Sequence, residues 1–124
     1  MSEIKIKRIY LQAENGDGFR IFVDRLWARG LSKEAADILM WKKEIAPTSQ
    51  LRKWFDHIPE KFEEFSEKYI GELSENRTAL NFVAECIELL KRDSVTLLYA
   101  AKDTQYNHAV VLKKWLMQKI SERE

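Results

Sequence analysis

The sequence predicts an α/β sandwich: one domain with a small, mostly parallel sheet of three to four strands, flanked by about four to five helices. Apolar residues alternate with a period of two in residues 4–10 and 19–23 and run continuously through 95–101; between them they recur at spacings of three and four. The chain also closes on strand then helix, an order that stacks helices on a sheet. At 124 residues it is long enough for one core without disulfide staples.

Ile4-Lys5-Ile6-Lys7-Arg8-Ile9-Tyr10 predicts a first strand with one wet face. Glu14-Asn15-Gly16-Asp17-Gly18 is the strongest turn signal in the chain. The connection to the second strand, 19–23, is too short for a crossover between adjacent parallel strands. These two strands are therefore either antiparallel neighbours or parallel and not adjacent. Ser32 predicts the N-cap of a short helix over 33–37. Within 38–45, ending at Ala46-Pro47, the extended bias before proline favours a third short strand. Thr48 or Ser49 caps a helix carrying Leu51, Trp54, Phe55 and Ile58. Pro59 opens the next helix, with Phe62, Phe65, Tyr69 and Leu73 as its buried stripe. A long helix over 77–91 places Leu80, Val83, Ile87 and Leu90 on one face, widened by Phe82, Cys86 and Leu89. The run 95–101 suits a strand covered on both faces. A final helix over 105–120 turns Val111, Leu112, Trp115 and Leu116 inward.

Composition narrows the function classes. The chain is 45% hydrophobic and 33% charged, as folded globular domains are. Its 21 basic and 20 acidic residues leave a formal charge of +1, which disfavours bulk attraction to nucleic acid or anionic membrane. The single cysteine, Cys86, excludes an intrachain disulfide and points to a reducing, cytoplasmic setting. No apolar run approaches the ~20 residues of a bilayer span, and no secretory signal is visible. Phosphate-loop, dinucleotide-glycine, zinc-ribbon and nucleophile-elbow motifs are absent, so no cofactor or metal is expected.

Charge gathers where two strands stop. The second strand ends in Asp24-Arg25, with Trp27 and Arg29-Gly30 following; the last ends in Lys102-Asp103. If both are parallel in one sheet, these groups converge on its carboxyl edge, where open α/β sheets bind ligands. Arginine forks clamp phosphate or carboxylate oxygens, and a helix starting at that edge adds its positive end. Asp24 or Asp103 can then act as a general base, and Trp27 can stack on a flat ligand. The plainer readings are a structural ion pair for Asp24 and a helix N-cap for Asp103. Trp41, Trp54, Trp115 and Cys86 read as packing, and His57 as a helix-end dipole partner. Asn107-His108 lies within reach of the edge but reads as surface polarity, and Lys5, Lys7 and Arg8 as a solvated strand edge.

The segment Val23-Asp24-Arg25-Leu26-Trp27-x-Arg29-Gly30, followed by Ser32-Lys33-Glu34, resembles the YeaO-like branch of domain-of-unknown-function family 488. Ala46-Pro47, Leu51-Arg52-Lys53-Trp54-Phe55-x-His57, residues 95–103 and Asn107-x-Ala109-x-x-Leu112 extend the match over most of the chain. Ala28 and Phe62 depart from it, standing where the family usually has proline and tryptophan. The resemblance implies a small cytosolic bacterial or archaeal α/β domain with no established activity. It adds Arg52, Lys53 and His57 to the candidate residues. The wider family can carry cysteine and histidine after the last strand. Here that region reads Tyr99-Ala100-Ala101-Lys102-Asp103, so thiol chemistry does not transfer.

The leading expectation is a domain that binds a small anionic, phosphate-bearing or nucleotide-like ligand. Arg25, Trp27, Arg29, Arg52, Lys102 and Asn107 would hold the ligand, and Asp24 or Asp103 would handle a proton. Whether it is an enzyme stays open. The rival is an interaction or regulatory module, such as a homodimer, using the aromatic helices.

Overall fold

The computed structural model describes residues 2–124. Four strands, β1 (Ile4–Arg8), β2 (Phe19–Phe22), β3 (Met40–Trp41) and β4 (Val95–Tyr99), form one sheet in the order β1-β4-β2-β3, with every pairing parallel. The last strand in sequence thus lies between the first two. β1 and β2 are parallel and not adjacent, which their short connection permits. β4 pairs with β1 from Ile4–Val95 to Arg8–Tyr99 and with β2 from Phe19–Val95 to Phe22–Leu98. All five of its residues are buried, as a strand covered on both faces requires.

The helices are α1 (Lys33–Ala36), α2 (Ser49–Phe55), α3 (Phe62–Glu75), α4 (Arg77–Leu90) and α5 (His108–Glu122). α4 and α5 lie on the sheet, α3 packs on both of them, and α2 packs on α3. On that side the larger core joins Ile21, Val23, Val95, Leu97 and Tyr99 to Phe65, Tyr69, Phe82 and Leu112. The opposite face holds a smaller core of Ile9, Phe22, Ala28, Ala36 and Leu98, with Trp27 and Trp41 packed on it. Strand alternation separates the two cores, because successive side chains point to opposite faces.

Local chemistry sets most boundaries. Ser32 Oγ accepts the Ala35 N–H and Thr48 Oγ1 that of Leu51, capping α1 and α2. Asp56 and His57 then turn left-handed, with φ of 48° and 56°. α2 therefore stops before Ile58, and His57 lies beyond its end rather than in its last turn. Pro59 begins a 3-10 turn, Pro59–Lys61, that leads into α3. α5 begins three residues later than its periodicity predicts, because Asn107, not Asp103, is its cap.

Two expectations are corrected. The inward face of α4 is Ala79, Phe82, Val83 and Cys86, while Leu80 is 36% exposed. Both sets have helical spacing on an apolar helix, so periodicity alone could not choose between them. The basic face of β1 is not a solvated edge. Lys5 Nζ bonds the Gly16 carbonyl (2.7 Å), Lys7 Nζ reaches Asp17, and Arg8 bonds the carbonyls of Ala100 and Ala101. Gly18, at φ 64°, lets β2 pass close to β4: a Cβ there would lie 2.1 Å from the Ser94 carbonyl oxygen. Among the described residues, no helix is long and apolar enough to cross a membrane.

Candidate functional site

β2 and β4 are adjacent and parallel, so their carboxyl ends meet. The ladder runs one step beyond β2, with Val23 N–H bonded to the Leu98 carbonyl at 3.0 Å. Asp24 is next, and its Oδ2 accepts the Ala100 N–H at 3.2 Å. From β4 the chain turns into α5, which packs on β4 and β1, whereas from β2 it leads through α1 to β3. The connections diverge at this boundary, the position where open α/β sheets carry a ligand crevice.

His108, the first residue of α5, completes the group. Its Nε2 lies 3.1 Å from the Val23 carbonyl oxygen and 3.1 Å from Asp24 Oδ1. A carbonyl only accepts, so Nε2 carries a proton. Asp24 Oδ1 is buried, close to the imidazole but without an aligned hydrogen bond. Beyond the imidazole lies Tyr69, its ring edge-on to His108 and its hydroxyl donating to the Ile45 carbonyl at 2.6 Å. Burial pushes the Tyr69 phenol well above its ordinary range. The Glu72 and Asp24 charges add to this and Arg25 opposes it.

The predicted residues divide between this edge and the scaffold. Arg25 is spent on the loop before α2, with Nε on the Pro47 carbonyl and Nη2 on that of Ala46, both at 3.1 Å. Trp27 donates its indole N–H to the Leu31 carbonyl (2.7 Å) and stands edge-on to Phe22 and Trp41, so it packs the smaller core. Asn107 is buried: its Oδ1 caps Val110 N–H and its Nδ2 holds the Asp103 carbonyl. Asp103 Oδ1 accepts the N–H groups of Gln105 and Tyr106 at 2.9 Å. Those two bonds hold its carboxyl below the ordinary carboxylate range, helped by the nearby His57. Arg29 and Lys102 are exposed, the Arg29 carbonyl accepting the Tyr10 hydroxyl at 2.9 Å, and Arg52 is exposed on α2.

Of the other contributors, His108 was placed within reach of the edge but read as surface polarity, Arg8, which fixes the carbonyls after β4, read as a solvated strand edge, and the Ala100 N–H was not singled out. The one local signal was the place of His108 directly after the cap of the helix that follows the last strand. A cavity of about 510 Å³ is at the opposite end of the strands, between Glu14, Phe19, Asp37, Leu39 and Asp93. A smaller one of about 270 Å³ lies between Arg25, Thr48, Tyr69, Glu72 and Asn76.

Residues 3–124 match the model of the family DUF488-N3i, described as the inactive DUF488-N3 subclade. The chain belongs to this family. It is 42% identical over 113 residues to the uncharacterized protein YeaO of Escherichia coli K12, covering 91% of this chain and 96% of the relative. It is 34% identical over 115 residues to the uncharacterized protein Rv3073c of Mycobacterium tuberculosis H37Rv, covering 93% and 94%. No solved structure matches. The tryptophan–arginine motif that suggested the family thus sits on the strand end that carries the Asp24–His108 pair.

Proposed function

We propose that this DUF488-N3i domain is a binding module for a small phosphate-bearing anion, seated on the carboxyl edge of its sheet, and that it does not turn the ligand over. The observation that carries the reading is the meeting of the β2 and β4 ends beside the start of the 15-residue α5. An anion there faces the positive end of a helix dipole, and the exposed cations Arg29 and Lys102 follow the two strand ends in sequence. Arg8 and Arg25 stiffen the flanking segments by holding carbonyls rather than ligand.

The absence of turnover fits the chemistry of the pair. His108 Nε2 is committed to the Val23 carbonyl and Asp24 Oδ2 to the Ala100 N–H, so these two atoms tie the strand ends together rather than face a bound molecule. The family's description as an inactive subclade agrees. Thermal shift with inorganic phosphate, nucleotides and sugar phosphates tests the reading. A phosphate-bearing compound at ten times its Kd should raise the wild-type Tm by roughly 5 °C, and Arg29→Ala/Lys102→Ala should lose that rise. If no anion stabilises the wild type more than the double variant, the reading fails.

A further inference from the structure

We propose that Asp24 is the resident anion of the β2–β4 crevice: its carboxylate holds the seat an external carboxylate or phosphate would take, and a ligand gains the seat only by displacing it. The proposal rests on the reading of this edge as an anion site and adds how that site is regulated. The Ala100 N–H after β4 donates to Oδ2, and the His108 imidazole at the start of α5 lies 3.1 Å from Oδ1 while its Nε2 bonds the Val23 carbonyl. They are the kind of groups that would meet an incoming oxyanion.

The carboxylate is incompletely held. Oδ2 has one bond of 3.2 Å, whereas Oδ1 is buried with no aligned donor, although a carboxylate can accept about four. Its backbone is fixed: the Asp24 carbonyl accepts the Trp41 indole N–H at 2.7 Å, and Arg25 is tied to the loop before α2. Exchange therefore needs only a side-chain rotation, and the side chain, 20% exposed, already borders solvent. Clearing the seat exposes the Ala100 N–H and the imidazole without moving a strand.

Removing the carboxylate should create a site for a small one. In Asp24→Ala, formate should raise the Tm and shift the Ala100 amide resonance. It should bind at least tenfold tighter than to the wild type, and chloride should do neither. Asp24→Asn keeps the bulk and the acceptor for Ala100 and loses the charge, so it tests the same point should the alanine variant fold poorly. Inorganic phosphate should bind it about tenfold tighter than it binds the wild type, again read at Ala100. Equal formate response in the wild type and Asp24→Ala, or equal phosphate affinity in the wild type and Asp24→Asn, overturns the proposal. If phosphate stabilises the wild type through Arg29 and Lys102 while Asp24→Ala ignores formate, the edge reading stands and the resident-anion proposal falls. If formate fills Asp24→Ala while no phosphate compound shifts the wild type, the resident anion stands and the phosphate reading falls.

Discussion

Asp17 is only 6% exposed, yet it holds two cations: Lys7 Nζ at 3.1 Å and Arg20 Nη1 at 2.6 Å. Arg20 is as deeply buried, and its remaining donors reach the carbonyls of Ala36 and Asp37. Burial by itself would raise the Asp17 carboxyl, but the Glu14 N–H, Lys7 and Arg20 outweigh it and hold it below its ordinary 3.8. Lys7 mirrors it: burial lowers its ammonium, while bonds to Glu14 and Asp17 raise it above 10.5. A depressed carboxyl stabilises the fold above its unfolded pKa, and that contribution is lost as pH falls toward the folded value. A raised lysine stabilises below its unfolded pKa and ceases to as pH climbs through the folded one. Asp17→Asn leaves Arg20 without its counter-charge and Lys7 with Glu14 alone, and should cost about 3 kcal/mol at neutral pH. Urea denaturation across pH should show that deficit steady near neutrality and shrinking below the ordinary carboxylate value; a deficit that persists undiminished at pH 2 would contradict this account. The residues were legible as a turn acid and strand bases. Their contact was not, because they come from three segments that meet only when β1 and β2 flank β4.

Element boundaries follow hydrogen-bond satisfaction more closely than apolar spacing. α5 shows it: the apolar pattern begins early, but the Val110 N–H takes its partner from Asn107, and Asp103 closes the turn before it. Asn107 also ties the Asp103 carbonyl, so it links the β4 end to the helix. Asn107→Ala should lose about 1–2 kcal/mol of stability, and hydrogen exchange should quicken at Val110 and in the first turn of α5. An unchanged exchange rate there would show that the cap is dispensable. The same element carries the histidine whose role the sequence hides. His108 is unremarkable as the first residue of a helix; it becomes part of a site because α5 starts beside a neighbouring strand's end, on the carbonyl of Val23.

At the scale of the molecule, β4 is the keystone. It bonds β1 on one side and β2 on the other, so the two halves of the sheet join only through it. Leu97 lies at its centre, fully buried, in register with Ile6 and with Ile21. Leu97→Ala should cost about 3 kcal/mol, and Leu80→Ala on the exposed side of α4 less than about 1 kcal/mol. Similar losses in equilibrium denaturation would mean that α4 presents its other face. The residues by themselves determined the class of fold, the helices, the presence of a third short strand and the coverage of β4 on both faces. Each of these follows from local rules: side-chain period, capping chemistry and the bias before proline. Charge stopping at two strand ends also marked the carboxyl edge. Only the tertiary structure decided the strand order, the inward face of α4, and the split between side chains that hold the scaffold and those left at the edge. Arg25 and Trp27 went to loops and core, while His108 joined Asp24. The last of these depends on contacts between segments 76 to 85 residues apart in sequence, a distance over which no local pattern carries information.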